Sequence, residues 1–463
     1  MKKIYLIILA AFFAASTAYG AGLSLDECVS MALQNNSSLK ATATGITVAE
    51  ADRDIAKTRM LPSLRMSGGY SMLDKSDRTM IMRDAFAPGV PVFSGPLSMD
   101  NRETYGASLI VEQPIYRGGE LVHNLYKHEI FTDISKKNTE RHKSLLTAEV
   151  KRTYYESLRE QRIRKSLEKI IESKKERLRV ISELMKEGYA MIDDFLTAET
   201  DLSSSELELS KAVNREELAL SRLGRIIYID SSTKPELIDN AEYNMLAVSL
   251  EQIKTTALAN RQDIKISEAR IKAADEDIAM SKSGFYPKAS IDGRYTRQKE
   301  TDSIRPEVWS FNARVDWYLF EWGRTKSEVT KAKALKQRAE YELDDAKRAA
   351  GLEAESAWRI IKDREREAEH SAKRVATAEY HLKRALDRYS ESVIMLADLI
   401  EMESSMLKEY QDYLASIDNL LIAHAQLEAA LSYTDRAWFI QREIYKPDFE
   451  AITRSMAALT SGR

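Results

Sequence analysis

This chain contains one unit twice. Shifted by 225 positions, Ser24, Leu25, Ala32, Leu33, Asn35 and Lys40 fall on Ser249, Leu250, Ala257, Leu258, Asn260 and Lys265, and Pro62, Gly68 and Tyr70 fall on Pro287, Gly293 and Tyr295, with no gap between. Further along the offset becomes 204: Val111 meets Val315, Gly119 meets Gly323, Asp194 meets Asp398 and Leu223 meets Leu427. The change of 21 positions marks an insertion in the first copy between Tyr70 and Tyr105. A unit of about 200 residues is far longer than the repeats of solenoids, which recur every ~20–50 residues. It calls for two similar halves lying side by side about a pseudo-symmetry axis.

Glycine (17) and proline (9) are scarce among the 463 residues, and Ala, Glu, Lys, Leu and Arg fill long stretches, the composition of long helices. The formal net charge of −3 leaves no basic footprint for nucleic acid. Lys2 and Lys3, the apolar stretch Ile4 to Ala15 and the small-residue site Ala18-Tyr19-Gly20 read as a signal peptide over residues 1–20. A membrane anchor is the other reading, but the stretch is short of the ~20 residues a span needs. No cysteine follows the cleavage site, so a lipid-anchored N-terminus has no support. The sole cysteine, Cys28, has no intrachain partner and reads as a small apolar residue on a helix.

Four segments break the helical pattern by alternating. In Ser63–Met72, Leu64, Met66, Tyr70 and Met72 take one face. In Lys288–Arg297, Ala289, Ile291 and Tyr295 do the same. Trp309–Leu319 is the clearest, with Trp309, Phe311, Ala313, Val315, Trp317 and Leu319 on one side. Tyr105–Tyr116 is noisier, because Ile110 sits among the polar positions. Segments of about ten alternating residues fit transmembrane β-strands. They also fit a soluble hairpin with one buried face, although two matching pairs in an exported chain favour the membrane. Four strands cannot close a barrel, and open edges do not survive in lipid, so spanning strands require several chains to share one barrel. The joining loops, Leu73–Thr104 and Gln298–Val308, then lie outside the cell.

After Gly118-Gly119 the chain reads as helix to about Glu187 without a proline; ~70 residues at ~1.5 Å each give about 100 Å. A second such helix runs from about Gly323 to Glu391, and return helices lie near Asp194–Leu223 and Leu396–Leu431. On the last, Leu407, Tyr410, Leu414, Ile417 and Leu421 form a coiled-coil seam. Met406, Tyr413, Leu420 and Leu427 form a second stripe beside it. A plain coiled coil needs one stripe; two let a helix pack between two neighbours, as in a wall of helices. Ser24–Leu61 and Ser249–Tyr286 are further helices, each leading through Pro62 or Pro287 into a strand.

The order helix, strand, loop, strand, long helix hairpin, all repeated, resembles the TolC family of outer-membrane efflux proteins over nearly the whole mature chain. The most specific match is Gln113-Pro114-Ile115-Tyr116-Arg117-Gly118-Gly119, echoed by Trp317-Tyr318-Leu319-Phe320-Glu321-Trp322-Gly323. The starts Ser24-Leu25-Asp26-Glu27 and Ser249-Leu250-Glu251, and Tyr154-Tyr155, are similar to that family too. The resemblance implies a mainly α fold with a transmembrane β-barrel. Two repeats per chain give long helical hairpins for a periplasmic α-barrel and four strands for a trimer-shared, twelve-stranded β-barrel. The layout expected is a first repeat over residues 21–231 with strands at about 63–73 and 105–116 and a hairpin at about 119–224. A linker at 232–248 lies in an equatorial belt. The second repeat covers 249–432, with strands at about 288–297 and 309–320 and a hairpin at about 323–431, before a tail at 433–463 in the belt. The implied partners are two further copies, outer-membrane lipid, a periplasmic adaptor (membrane fusion protein) and an inner-membrane pump. The implied location is the cell outer membrane, extending into the periplasm.

By analogy with that family's aperture, Asp398 and Glu401 match its paired lumen carboxylates. Asp194 matches the first-repeat aspartate that helps hold the closed state, and Tyr389 a tyrosine of the closing contacts. The family member compared has an arginine in that network where this chain has Ile394. Three copies of Asp398 and Glu401 would make rings of negative charge that favour cations and could hold a blocking metal ion; the other reading is solvated helix charges. The turn residues Gly188, Tyr189, Ala190, Met191 and Ile192, with Ser392, Val393, Ile394 and Met395, put apolar side chains where either a partner helix or the other hairpin would cover them.

No reactive constellation stands out. The six histidines (His123, His128, His142, His370, His381, His424) form no HExxH pair, no glycine loop cradles phosphate, and no cofactor or resident metal is expected. The leading expectation is a passive exit duct, not an enzyme. The alternative is a periplasmic coiled-coil adaptor or structural protein, which would need no lipid-facing Trp and Phe stripe.

Overall fold

The computed structural model describes residues 22–72, 79–81, 96–98, 103–188, 190–229, 235–238, 242–299, 307–391, 393–432 and 438–444. The expected signal peptide, Tyr189 and Ser392 of the two turns, and the tail beyond 444 lie outside the described residues. In chain order the elements are α1 (Leu25–Asn35), α2 (Ser37–Thr58), β1 (Ser63–Met72), β2 (Thr79–Ile81), β3 (Pro96–Ser98), β4 (Glu103–Arg117), α3 (Glu120–Lys186) and α4 (Ile192–Ile227). There follow β5 (Glu242–Leu246), α5 (Leu250–Asn260), α6 (Gln262–Lys282), β6 (Lys288–Lys299), β7 (Glu307–Asp316), α7 (Arg324–Ser390), α8 (Leu396–Leu431) and β8 (Phe439–Glu443). The chain divides into two compact units, one of residues 1–44, 137–266 and 344–463, the other of residues 45–136 and 267–343.

The duplication persists to the level of single residues. The long helices α3 and α7 are each 67 residues, and the return helices α4 and α8 each 36. Ser24 and Ser249 are both N-caps closing a capping box, with Glu27 and Gln252, which satisfies helix-end donors on both sides of the cap. The return helices end on left-handed Tyr228 (φ 61°) and Ser432 (φ 54°). Where strand turns into helix, Gly118 and Gly119 have φ of 66° and 86°. A Cβ on Gly118 would come within 2.6 Å of the Ser283 carbonyl oxygen, so glycine is required there. Its counterpart Trp322 holds φ 51° with its ring 90% exposed, a strained conformation for a bulky residue.

In the unit of residues 45–136 and 267–343, one antiparallel sheet has the order β1-β4-β6-β7. Ladder partners share a face, so the register sorts the side chains. One face carries the rows Leu64–Val111–Gly293–Phe311 and Met66–Leu109–Tyr295–Trp309. The other carries Ser63–Glu112–Asp292–Asn312 and Arg65–Ile110–Arg294–Ser310. Leu64, Met66, Phe311 and Trp309 are all exposed. Ile110 sits on the polar face but is buried; the long side chains bordering it in its row are Arg65 and Arg294. Two sequence expectations change here. β7 ends at Asp316 and not near residue 320, because its partner β6 begins at Lys288 just after Pro287. Trp317 instead donates its indole N–H to the Phe285 carbonyl (3.2 Å). The inserted segment, for which the sequence pattern gives no strand, holds a three-residue ladder between β2 and β3.

In the other unit, the seam of the second hairpin is a heptad match. Ala354, Ile361, Ala368 and Val375 on α7 recur every seven residues and are fully buried. They share a core with Tyr413, Ile417, Leu420, Leu421 and Leu427 of α8. Alternating small and large residues on one helix facing large ones on the other is knobs-into-holes packing. Both stripes read from α8 are therefore lined with buried residues.

Short extended segments are tied across these helices by repeat-equivalent bonds. The Tyr154 hydroxyl donates to the Leu23 carbonyl (3.1 Å), and the Trp358 indole to that of Val248 (3.1 Å). β5 pairs with β8; Glu365 accepts from the Leu246 N–H and Lys362 donates to the Leu246 carbonyl. His424 completes this grip, its Nε2–H donating to the Asn244 carbonyl at 2.9 Å. Burial first, with Lys362 and Lys151 nearby, pushes the His424 pKa from 6.5 down to about 4. The folded protein therefore binds fewer protons than the unfolded chain between these values, so stability is full at neutral pH and is lost as pH falls from 6.5 towards 4. At pH 5 the loss is about 2 kcal/mol. In unfolding titrations at pH 7 and pH 5, His424→Gln, which keeps an N–H donor without the titration, is expected to remove that component of the acid sensitivity.

Candidate functional site

The two hairpin turns lie in one unit and their surroundings can be built residue by residue. In the first, α3 ends through Glu187 N–H to the Glu183 carbonyl (3.2 Å) and Gly188 N–H to that of Met185 (3.1 Å), with Gly188 at φ 82°. In the second, Val393 N–H reaches the Arg388 carbonyl at 2.8 Å. The apolar turn residues divide. Ala190 packs with Ile181, Ala198 and Leu396, and Ile394 with Leu386, Leu399 and Met406. Met191, Ile192, Val393 and Met395 stay exposed, Met395 to 76%. Tyr389 belongs to both clusters and so joins one hairpin end to the other.

Of the expected gate carboxylates, Asp194 is half-buried in the first turn of α4. Asp398 and Glu401 are exposed on the first turns of α8. Asp398 accepts from the Met395 backbone N–H at 3.1 Å, a helix-capping bond. That bond uses part of its acceptor capacity and leaves the carboxylate in solvent. Ile394, where the resemblance leads one to expect an arginine, packs its apolar side chain against the cluster of Leu386, Leu399 and Met406.

A set of charges that the sequence did not single out runs between the hairpins. Lys151, Arg162 and Arg177 of α3 pair with Glu428, Asp418 and Glu403 of α8. The helices are antiparallel in this pairing, and every cation is on one and every carboxylate on the other. The middle pair, Arg162 to Asp418 at 3.1 Å, is the most deeply placed, with side chains 8% and 0% exposed. Near the tip Lys174 donates to Asp201 (2.7 Å) and Ser205 (2.9 Å). These groups line a cleft of about 280 Å³ that Met406 and Leu407 also border. In sequence these carboxylates are indistinguishable from their neighbours because both helices are dense in charge; only the three-dimensional match distinguishes them. Removing one partner of a buried pair leaves an uncompensated charge and costs ~3–5 kcal/mol, whereas replacing both by apolar residues costs far less. Asp418→Ala is therefore expected to lower the thermal unfolding midpoint sharply, and Arg162→Met with Asp418→Leu to restore most of it.

Among the described residues no cluster of His, Cys, Asp or Glu is arranged to hold a metal, and no helix is long and apolar enough to cross a membrane.

Comparison with known proteins agrees with this architecture. The chain is 25% identical over 186 residues to nodulation protein T of Rhizobium leguminosarum bv. viciae, a match covering 39% of this chain and 38% of that protein. Its fold is similar to the Campylobacter jejuni CmeC outer membrane channel, with a TM-score of 0.71 at 18% identity over 95% of this chain and 90% of that one. It is also similar to CusC, with a TM-score of 0.69 at 15% identity over 88% and 91%. The sequence profile of the outer membrane efflux proteins matches residues 28–227 and 255–432, covering both repeats. The chain belongs to the outer membrane efflux protein family, and its place is the outer membrane.

Proposed function

We propose that three copies of this chain form a passive exit duct that carries material delivered by an inner-membrane pump through a periplasmic adaptor. The observation that carries the reading is the sheet: one face apolar and exposed, the other polar, with β1 and β7 each paired on one side only among the described residues. In lipid such a sheet needs further copies to satisfy its edges, and its polar face then lines water. A coiled-coil adaptor has no use for the exposed row of Met66, Leu109 and Trp309.

The helical hairpins form the periplasmic passage, and their tips are its mouth. Asp398 and Glu401, exposed at the start of α8, form rings of negative charge there, and Asp194 and Tyr389 hold the two hairpin ends together. Gly188 and Ala190 shape the first turn. Met191, Ile192, Val393 and Met395 present the apolar surface for an adaptor helix, while Ile394 serves the packing beneath it. The duct performs no catalysis; the energy for export comes from its partners.

Two measurements test this reading. In planar bilayers with a salt gradient, Asp398→Ala with Glu401→Ala is expected to reduce cation preference; unchanged selectivity would place these carboxylates away from the aperture. A photoreactive residue at Ile192 or Met395 in living cells is expected to capture a periplasmic adaptor. Capture of copies of this chain alone would make these turns part of the bundle.

A further inference from the structure

The sheet also determines how neighbouring copies meet. Each repeat contributes one β-hairpin, and the two hairpins have the same register. Ser67 pairs with Ser108 in the first; their repeat equivalents Asp292 and Asn312 pair in the second. Leu64 with Val111 likewise becomes Ala289 with Val315. The duplication therefore transfers strand pairing without a slip. Between the hairpins, β4 of the first repeat pairs with β6 of the second: Val111 with Gly293, Ile110 with Arg294, Leu109 with Tyr295. This junction has a repeat equivalent that no single chain can make, because the equivalent of β4 is β7 and the equivalent of β6 is β1. In the four-stranded sheet those are the two outer strands.

We infer that β7 of one copy pairs with β1 of a second copy in the register that this junction dictates. Asp316 lies opposite the second copy's Ser67, Val315 opposite its Gly68, Arg314 opposite its Gly69, and Ala313 opposite its Tyr70. Asn312 then meets its Ser71 and Phe311 its Met72. The inference rests on the shared barrel proposed above and specifies its seam.

Side-chain chemistry agrees at each level. The register keeps every residue on its own face: Val315, Ala313 and Phe311 meet Gly68, Tyr70 and Met72 on the apolar side, and Asp316, Arg314 and Asn312 meet Ser67, Gly69 and Ser71 on the polar side. A slip by one residue would turn the apolar row of one strand into the lumen. Large residues meet small ones, Val315 against Gly68, Arg314 against Gly69 and Tyr70 against Ala313. The in-chain junction does the same with Val111 against Gly293. A slip by two keeps the faces, and one such slip sets Asp316 directly opposite Arg65. It also stacks Ala313 on Gly68 and leaves a gap in the lipid-facing wall. The two-residue slips are therefore the rivals to exclude.

The test uses the full-length protein purified in detergent, with the buried Cys28 replaced (Cys28→Ser). Arg314→Cys is combined in turn with Ser67→Cys, Gly69→Cys and Ser71→Cys. An added mild oxidant takes up the two electrons and two protons released as paired thiols join. Directly opposed strand residues have Cα separations of ~4.5–5.5 Å, within disulfide reach. Gly69 has no atom within 4 Å of a built Cβ, so the cysteine has room. The expected result is a covalent ladder of linked copies for Arg314→Cys with Gly69→Cys, several-fold above the other two, and likewise for Asn312→Cys with Ser71→Cys. Predominant linkage of Arg314→Cys to Ser67→Cys or Ser71→Cys would overturn the register while leaving the shared barrel intact. Native mass spectrometry of the same samples separates the remaining outcomes. A trimer without any linkage would overturn the seam alone, and a monomer would overturn the shared barrel with it.

Discussion

A backbone N–H in hydrocarbon has no water to bond, and leaving it unpaired costs several kcal/mol. That constraint governs the design of this chain. Four strands arranged β1-β4-β6-β7 cannot satisfy it alone, so the molecule is incomplete as a single copy. The exposed apolar rows, which would be a liability on a soluble protein, follow from the same requirement. So does the insertion in the first copy, which is confined to the loop between β1 and β4 and leaves the strand registers identical.

The helices face a different problem. Long hairpins packed by repeating small and large residues can slide by a heptad at modest cost, since each register resembles the next. The buried pair Arg162–Asp418, with Lys151–Glu428 and Arg177–Glu403 on either side, specifies one register. A buried ion pair contributes little net stability, but an offset that separates its partners is heavily penalised. The hairpins are thus held by apolar packing and aligned by charge.

Much of this was legible in the sequence because it is periodic. The two offsets locate every major element, and the alternation in Ser63–Met72 and Trp309–Val315 identifies both faces of the sheet. Ile110, an exception to that alternation, is indeed on the polar face, sheltered between two arginines. What periodicity cannot report is pairing between distant elements. The end of β7 depends on where β6 begins, so Trp317–Phe320 kept the strand pattern after the ladder had stopped. The ion pairs between α3 and α8 are not repeated by the duplication, for Lys151 falls on Glu355, Arg177 on His381 and Asp418 on Asn214. In a chain that is 30% charged, individual carboxylates carry no mark of their partners. Ile394 and Met395 are adjacent in sequence and equally apolar, yet one packs inward and the other outward.

The equal lengths of the two hairpins act as a ruler. With α3 matching α7 and α4 matching α8 to the residue, both turns arrive level, and Tyr389 can touch the ends of both. Variation in length along such a lineage is therefore constrained in two ways: it must come in whole heptads to keep the seam in phase, and it must occur in both repeats together. A change in one arm alone would leave Tyr389 reaching past its neighbour, whereas the connection between β1 and β4, free of that matching, could grow in one repeat and did.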